Sequence, residues 1–368
     1  MATTTTPTAS GVRRESQAVN TLTTGRLPKF APLVILLGSW VIMGVVFALL
    51  QAAGVTEGFN WVPAIILGTV LYAALVFVVA LQVEGVRRAK DRVVTTLVGA
   101  AFIIALVPLV SLLITVVTAG SGRFDADFFS QSMRNVVGAG GGGLHAITGT
   151  VLITAFAAVI SVPIGLLTAI YLVEYGTGRL ARAITFFVDV MTGIPSIVAG
   201  LFAYALFVIF FGEGVRMGAA GSVALAVLMI PVVVRSTEEM LKLVPNELRE
   251  AAYALGVPKW LTILKVVLPT SIAGITTGVM LAIARIIGET APLLITAGFT
   301  ASMNYNLFDG RMQSLPVFAY SSYVSQGTDA AAYIDRAWTS ALTLILIVMA
   351  LNLLARLIAR LFAPKLGR

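Results

Sequence analysis

Residues 247–258 read Glu-Leu-Arg-Glu-Ala-Ala-Tyr-Ala-Leu-Gly-Val-Pro and lie between two long apolar stretches of the chain. Asn246 can cap a short helix that begins at Glu247, Gly256 supplies a left-handed stop, and Pro258 suits the first turn of the next helix. This helix is too charged to span a membrane, and its acidic start disfavours a helix lying on the membrane surface. Its small alanines allow another protein's groove to approach closely, so we predict a docking helix.

The composition of the chain is that of a polytopic membrane protein. Of its 368 residues 58% are hydrophobic and only 11% are charged, and the mean hydropathy is +0.96. The apolar residues form blocks of roughly 20 residues, which is the length that crosses a hydrocarbon core as a helix. Cysteine is absent and His145 is the only histidine, which excludes disulfides, thiolate metal sites and a histidine-rich metal centre. The sequence therefore predicts an all-α membrane helix bundle without a bound metal.

Eight spans can be drawn, and residues 1–31, rich in threonine, are predicted to be a disordered N-terminus. Of the 25 Lys and Arg residues, 19 fall in the loops or at the end of the last span on one side, five fall in the loops on the other side, and Arg285 lies in the interior of a span. The positive-inside rule then places both termini in the cytoplasm. The predicted spans are residues 32–50, 61–82, 93–118, 146–172, 191–211, 218–234, 272–297 and 337–361.

A charged pair stands in the seventh predicted span. Arg285 in mid-span costs about 2.5–3.5 kcal/mol on an insertion scale, and Glu289 at i+4 can neutralise it within the same helix. Pro292 is expected to bend that helix beside the pair. One interpretation is a salt bridge that only fixes packing. The other, which we favour, is that the guanidinium grips two oxygens of a transported oxyanion while Glu289 orients it.

The docking helix belongs to a longer motif. Glu250-Ala251-Ala252, three residues, Gly256, nine residues, Val266, one residue and Leu268-Pro269 resemble the EAA loop of ABC importer permeases, with Val266 in place of the family's Ile. The resemblance implies that residues 238–270 form a coupling loop that docks into a separate ATPase. That subunit would bind ATP and Mg²⁺, because this chain lacks a Gly-x-x-x-x-Gly-Lys-Ser/Thr motif of its own. The chain itself is then expected to be a transport subunit without cofactor or enzymatic activity.

The charged pair also lies in a recognisable pattern. Residues 285–294, Arg-Ile-Ile-Gly-Glu-Thr-Ala-Pro-Leu-Leu, are similar to the hallmark of PstA-type phosphate importer permeases, and residues 193–202 also resemble that group. The likeness implies a six-span type I ABC importer core over residues 93–368, preceded by an additional two-helix hairpin over residues 32–92. It assigns substrate contacts to Arg285, Glu289 and Thr290, and more weakly to Arg235.

The resemblance also implies partners and a location. A PstC-like permease would complete the conduit, two ATPase copies would drive it, and an external phosphate-binding protein would deliver the substrate. The location would be the plasma (inner) membrane of a prokaryote. Two alternatives stay open, namely a PstC-like or other oxyanion permease for sulfate or molybdate, and a membrane scaffold or signalling subunit that does not transport.

Overall fold

The computed structural model describes residue 25 and residues 27–56 and 58–362, with side chains described up to residue 357. These residues form helices and connecting segments without a β-strand, as predicted. The predicted disorder of the N-terminus falls mostly on residues 1–24 and 26, which lie outside the described part. The helices are α1 Ala31–Ala52, α2 Trp61–Val83, α3 Val86–Gly120, α4 Ala126–Ser130, α5 Leu144–Ile170, α6 Gly178–Thr192, α7 Ser196–Phe211, α8 Gly218–Lys242, α9 Asn246–Ala254, α10 Lys259–Thr262, α11 Leu268–Ile286, α12 Ala291–Thr296, α13 Leu315–Val324 and α14 Ala330–Phe362.

Within the described residues, seven helical segments are long and apolar enough to cross a membrane. An eighth crossing would be the pair α6 and α7, which bend by 110° at the break between Thr192 and Ser196. The structure therefore agrees with the predicted number of spans. The fifth predicted span, residues 191–211, corresponds to α7 preceded by this sharp bend, where Gly193 and Pro195 interrupt the helix.

The chain divides into two compact units, Met1–Ser111 and Leu112–Arg368. In the first unit, α1 and α2 form a helical hairpin in which Gly68 lies against the Trp40 side chain and Trp40 Nε1 donates to Thr69 Oγ1 at 3.2 Å. The predicted functional boundary between residues 92 and 93 stays a prediction.

Helix α8 forms the centre of the second unit. It is the most buried of the candidate spans, with 72% of its most apolar stretch buried, and its neighbours approach it through glycines. A Cβ at Gly165 of α5 would lie 2.6 Å from Val233 Cγ1, and one at Gly278 of α11 would lie 2.5 Å from Ser236 Oγ. Such small residues let membrane helices pack backbone to backbone.

The seventh predicted span is not a continuous helix. Helix α11 ends at Ile286, residues 287–290 are non-helical, and α12 begins at Ala291. The expected bend at Pro292 is instead a complete break, with Pro292 in the first turn of α12. Pro292 has no N–H to donate to the Gly288 carbonyl, and Gly288 weakens the preceding turn, so the helix stops and restarts rather than curving.

Candidate functional site

The predicted docking helix is α9, and its end matches the sequence signals closely. Gly256 has φ +76°, its N–H donates to the Tyr253 carbonyl at 2.9 Å, and the Val257 N–H donates to the Ala252 carbonyl at 3.1 Å. These two bonds form a Schellman motif, which requires a left-handed residue at this position. The start differs from the prediction, because the helix includes Asn246, whose side chain caps nothing and instead accepts from Arg249.

The surface of α9 is open to a partner. Glu250, Ala251 and Gly256 are exposed, whereas Ala252 packs inward and Leu268 is half-buried beside an exposed Pro269. Apolar side chains surround the motif without cover from the described residues, and Leu255 is 84% exposed. Clustered exposed apolar residues of this kind mark protein-contact surfaces. The exposed residues of this patch are Leu243, Leu248, Tyr253, Leu255, Trp260 and Leu264.

One arginine, whose role the sequence did not reveal, ties this loop to two spans. Arg249 Nε and Nη2 donate to Glu174 Oε1 at 3.1 and 2.9 Å, and the two side chains are only 12% and 5% exposed. Nη1 donates to the Val244 carbonyl at 2.6 Å and Nη2 donates to the Leu241 carbonyl at 3.0 Å. Leu241 is in the last turn of α8, and Val244 lies just after that helix. Glu174 lies in the π-helical turn that extends α5. Arg249 therefore connects α9 to the C-terminal ends of both α5 and α8.

Lys259 strengthens the same connection from the other side of the loop. Its Nζ donates to the Glu174 carbonyl and lies 4.9 Å from the centroid of the Tyr175 ring. The turn after α5 is thus held by side chains from α9 and α10. The predicted coupling loop is therefore bonded to the turn that extends α5, in addition to its covalent links to α8 and α11.

The predicted substrate residues lie at the break between α11 and α12. Arg285 is in the last turn of α11 and is exposed, while Glu289 and Thr290 are half-buried in the non-helical segment. The predicted ion pair between Arg285 and Glu289 is not formed, and within the described residues neither side chain has a hydrogen-bond or ion-pair partner. Because α11 stops at Ile286, the two residues no longer share the i, i+4 geometry of one helix. The guanidinium stands on a face of α11 with Thr277 and Leu281, which are also exposed.

Helix α12, which follows the break, packs closely against α7 and α8. A Cβ at Gly200 of α7 would lie 2.6 Å from Pro292 Cα, and one at Gly221 of α8 would lie 3.0 Å from the Leu293 side chain. Thr296 Oγ1 donates to the Pro292 carbonyl at 2.7 Å. The non-helical residues 287–290 are therefore followed directly by a short helix, α12, that packs against α7 and α8.

Arg235, the weakest of the predicted substrate contacts, is engaged with carboxylates. Its Nη1 donates to Glu238 Oε2 at 2.8 Å and its Nη2 donates to Asp189 of α6, while Lys242 Nζ donates to Glu238 Oε1 at 2.7 Å. This cluster joins α6 to the C-terminal half of α8. The Arg235 side chain is 32% exposed, so an anion could approach it only in competition with two carboxylates.

The structure therefore separates the predicted residues into distinct groups. Arg285, Glu289 and Thr290 cluster at one helix break, the coupling residues form a second group on α9 and at the start of α11, and Arg235 belongs to a third, charged cluster. The Arg235–Glu238 and Lys242–Glu238 spacings were readable as i+3 and i+4 pairs. Nothing local signalled Glu174, which is 75 positions from Arg249. In the described residues no group of three or more acidic, His or Cys side chains could hold a metal ion.

Comparison with known proteins gives this arrangement a family. The model for "Binding-protein-dependent transport system inner membrane component" matches residues 161–368. The "Phosphate transport system permease protein PstA 1" of Mycobacterium tuberculosis (strain CDC 1551 / Oshkosh) is 47% identical over 275 residues, covering 74% of this chain and 89% of that protein. The "Phosphate transport system permease protein PstA" of Yersinia pestis is 41% identical over 280 residues, covering 76% and 92%.

Solved structures support the fold. The chain resembles one from a bacterial alginate ABC transporter in complex with its pentasaccharide-bound periplasmic protein, with a TM-score of 0.52 at 14% identity, covering 76% of this chain and 97% of that one. A second alginate importer structure matches with a TM-score of 0.50 at 13% identity, covering 74% and 96%. The chain is thus a multi-pass membrane protein with the ABC importer permease fold, and it belongs to the PstA family of phosphate transport system permease proteins.

Proposed function

We propose that this chain is a permease subunit of an ATP-driven importer of inorganic phosphate. The observation that carries the proposal is the 47% and 41% identity to proteins named as phosphate transport permeases, along 74% and 76% of the chain. The geometry at the break between α11 and α12 is consistent with the binding of an anion, because the Arg285 guanidinium is exposed there and has no partner in the described residues. Transport, rather than enzymatic catalysis, is the activity of this subunit.

Arg285 is the proposed phosphate contact. A guanidinium offers planar, paired donors that match two oxygens of a tetrahedral anion, and it stays charged at all physiological pH values. No carboxylate in the described residues pairs with it, so its charge is available to a ligand. Glu289 and Thr290 stand in the adjoining non-helical segment, where Thr290 would add a hydroxyl donor and Glu289 would orient the arginine.

The exposure of Arg285 supports a shared conduit. Thr277, Leu281 and Arg285 lie on one face of α11 that no described residue covers. Arg285 lies at the end of the candidate span Lys259–Ile286, and a charged side chain on a span is costly against lipid, so we expect this face to meet a polar or protein neighbour. We assign it to a second, PstC-like permease chain, with the phosphate path between the two chains.

Helix α9 is the proposed site at which the energy of ATP hydrolysis enters. Its exposed Glu250, Ala251 and Gly256, with the apolar patch around them, would occupy a groove on a separate ATPase dimer that binds ATP and Mg²⁺. Arg249 would pass the resulting displacement to α5 through Glu174. An external phosphate-binding protein would load the opposite side, and both termini would face the cytoplasm by the positive-inside distribution.

The test is reconstitution of the complete complex in proteoliposomes with ³²P-phosphate. We expect ATP-dependent accumulation of phosphate that excess sulfate or molybdate does not compete away. Accumulation of sulfate or molybdate in place of phosphate would identify another oxyanion permease. A stable complex that moves none of these anions would favour a scaffold or signalling subunit and would contradict the proposal.

A further inference from the structure

The N-terminal unit contains a cavity that phosphate transport does not explain. It has a volume of about 1020 Å³ and lies between α1, α2 and the first half of α3, wholly within residues 27–104. Most of its wall is apolar, and several of its side chains stay exposed, Ile104 at 71%. A cavity of this character needs an apolar occupant. Its apolar wall includes Leu36, Trp40, Ile66, Val70, Ile103 and Ile104.

One end of the cavity is charged, and its charges are not equally available. Arg92 Nε and Nη2 donate to the two oxygens of Glu84 at 2.6 and 2.8 Å, and the Leu27 N–H adds a third bond to that carboxylate at 2.8 Å. The hydrogen bond from Arg92 lowers the pKa of Glu84 to about 2. This pair is therefore neutral as a unit and fixes the turn between α2 and α3.

Two other charges at the same end remain open to a ligand. Arg88 makes a single long hydrogen bond, from Nη1 to the Gly25 carbonyl at 3.4 Å, and Asp91 is exposed and has no hydrogen-bond or ion-pair partner in the described residues, although it lies within electrostatic reach of Arg92. Both side chains line the cavity. They are separated by three positions on α3, so they lie on one face roughly 5–6 Å apart at Cβ. The mouth thus offers one cation and one anion side by side.

We propose that this cavity is a binding site for a zwitterionic phospholipid carrying an ammonium headgroup, such as phosphatidylethanolamine. Its phosphate would contact Arg88, its ammonium group would contact Asp91, and an acyl chain would lie along the apolar wall towards Ile103 and Ile104. The paired charges at the mouth favour this headgroup over a purely anionic one. The site belongs to the additional hairpin and α3 and is independent of the phosphate path.

The chain's own N-terminus is a poor alternative occupant. Residues 1–24 contain eight threonines and two arginines, with few large apolar side chains. Such a segment cannot cover the isoleucines and tryptophan of the cavity wall with matching apolar surface. An acyl chain can, and it is present at high concentration around any membrane helix.

The absence of cysteine from the chain makes a fluorescence experiment direct. Gly99 lines the cavity and a Cβ there would meet nothing within 4 Å, so Gly99→Cys can carry a bimane probe. Gly44→Cys on α1 is the matched control, because it has equal space and does not line the cavity. The labelled full-length chain is placed in nanodiscs with brominated phosphatidylethanolamine or brominated phosphatidylglycerol.

We expect brominated phosphatidylethanolamine to quench the probe at Gly99 far more than phosphatidylglycerol does, and the two lipids to quench equally at Gly44. Arg88→Gln should reduce quenching at Gly99 by both lipids, because both carry the phosphate that Arg88 contacts, whereas Asp91→Asn should weaken the preference for phosphatidylethanolamine by about tenfold, the value of a charged hydrogen bond. Arg87→Gln, one residue away and outside the cavity lining, should leave it unchanged. Equal quenching by both lipids at Gly99, a preference that survives Asp91→Asn, or quenching that is unchanged in Arg88→Gln would overturn the proposal.

A second measurement tests the acyl-chain part. Gly99→Leu places a side chain inside the cavity without a backbone conflict, and Gly44→Leu does the same elsewhere in the hairpin. Native mass spectrometry should detect retained phosphatidylethanolamine on the unmodified chain and on Gly44→Leu, with roughly tenfold less on Gly99→Leu. Retention equal in all three proteins would show that lipid associates without entering the cavity, which contradicts the proposed site.

Discussion

Arg249 lies near the start of α9 and Arg285 lies in the last turn of α11, and the surroundings of the two arginines are opposite. Arg249 gives its donors to Glu174, to two backbone carbonyls and to Asn246, and it is nearly buried. Arg285 is exposed and has no partner in the described residues. A guanidinium with every donor satisfied holds elements of the chain together, whereas one with free donors on an uncovered helix face is suited to a ligand.

The same comparison ranks Arg235 between the two. Its donors reach Asp189 and Glu238, but its side chain is still 32% exposed. Paired arginines of this kind join helices, and they bind a passing anion only by giving up a carboxylate. The predictions below follow this order of availability.

The largest effect is expected from Arg285→Gln. Loss of a charged donor that can make two parallel hydrogen bonds should reduce ³²P-phosphate uptake in proteoliposomes by about tenfold to a hundredfold. The complex should still assemble, as judged by size-exclusion chromatography. Arg285→Lys should recover only a small part, since a point charge cannot make the paired bonds. Uptake unchanged in Arg285→Gln would remove this residue from the transport path.

Arg249→Met should act on coupling and stability. The change leaves the Glu174 carboxylate buried without its partner, which typically costs about 3–5 kcal/mol, and the thermal unfolding temperature should fall. In the complex, ATP hydrolysis should continue while phosphate uptake drops. The double variant Arg249→Met with Glu174→Gln should regain stability but not coupling. A double variant that transports normally would show that the pair is not the mechanical link.

Gly256→Ala should have a moderate effect that is purely conformational. An L-residue at φ +76° costs about 1–2 kcal/mol, and the added methyl group meets no neighbour within 4 Å. We expect weaker retention of the ATPase in pull-down assays. Gly256→Asn is the matched comparison, because asparagine tolerates the left-handed region better and should retain more ATPase. Equal, full retention by Gly256→Ala would argue against docking through α9.

The smallest effect is expected from Arg235→Gln. Two partly exposed ion pairs are lost, each worth about 0.2–1 kcal/mol, so phosphate uptake should fall by no more than about twofold to threefold. Loss as severe as that of Arg285→Gln, in a normally assembled complex, would show that Arg235 releases its carboxylates and contacts the anion.

Much of the fold could be predicted because its signals are local. Hydropathy located the membrane helices, and Gly256 with Pro258 defined the end of α9, since a left-handed residue and a helix-starting proline are read within one turn of chain. The EAA spacing is a local signal of the same kind, and the coupling role that it predicts stays a prediction. Each of these features depends on residues close together in sequence.

The features that could not be predicted depend on distant residues. Gly288 and Pro292 are compatible with either a bent helix or a broken one, and the contact of Pro292 with Gly200, from another helix, supports the broken form. The loss of the Arg285–Glu289 pair follows from that break. The link between Arg249 and Glu174 joins residues 75 positions apart, which no local pattern reveals.

The glycines that line α8 carry a mechanical consequence. At Gly165 and Gly278 the neighbouring helices meet α8 with no space for even a methyl group, so α5, α8 and α11 cannot slide past one another without steric collision. We expect these three helices to move together as one rigid block when a partner displaces α9. The exposed face of α11 would then move with that block, so the Arg285 guanidinium would shift relative to any neighbour that covers this face.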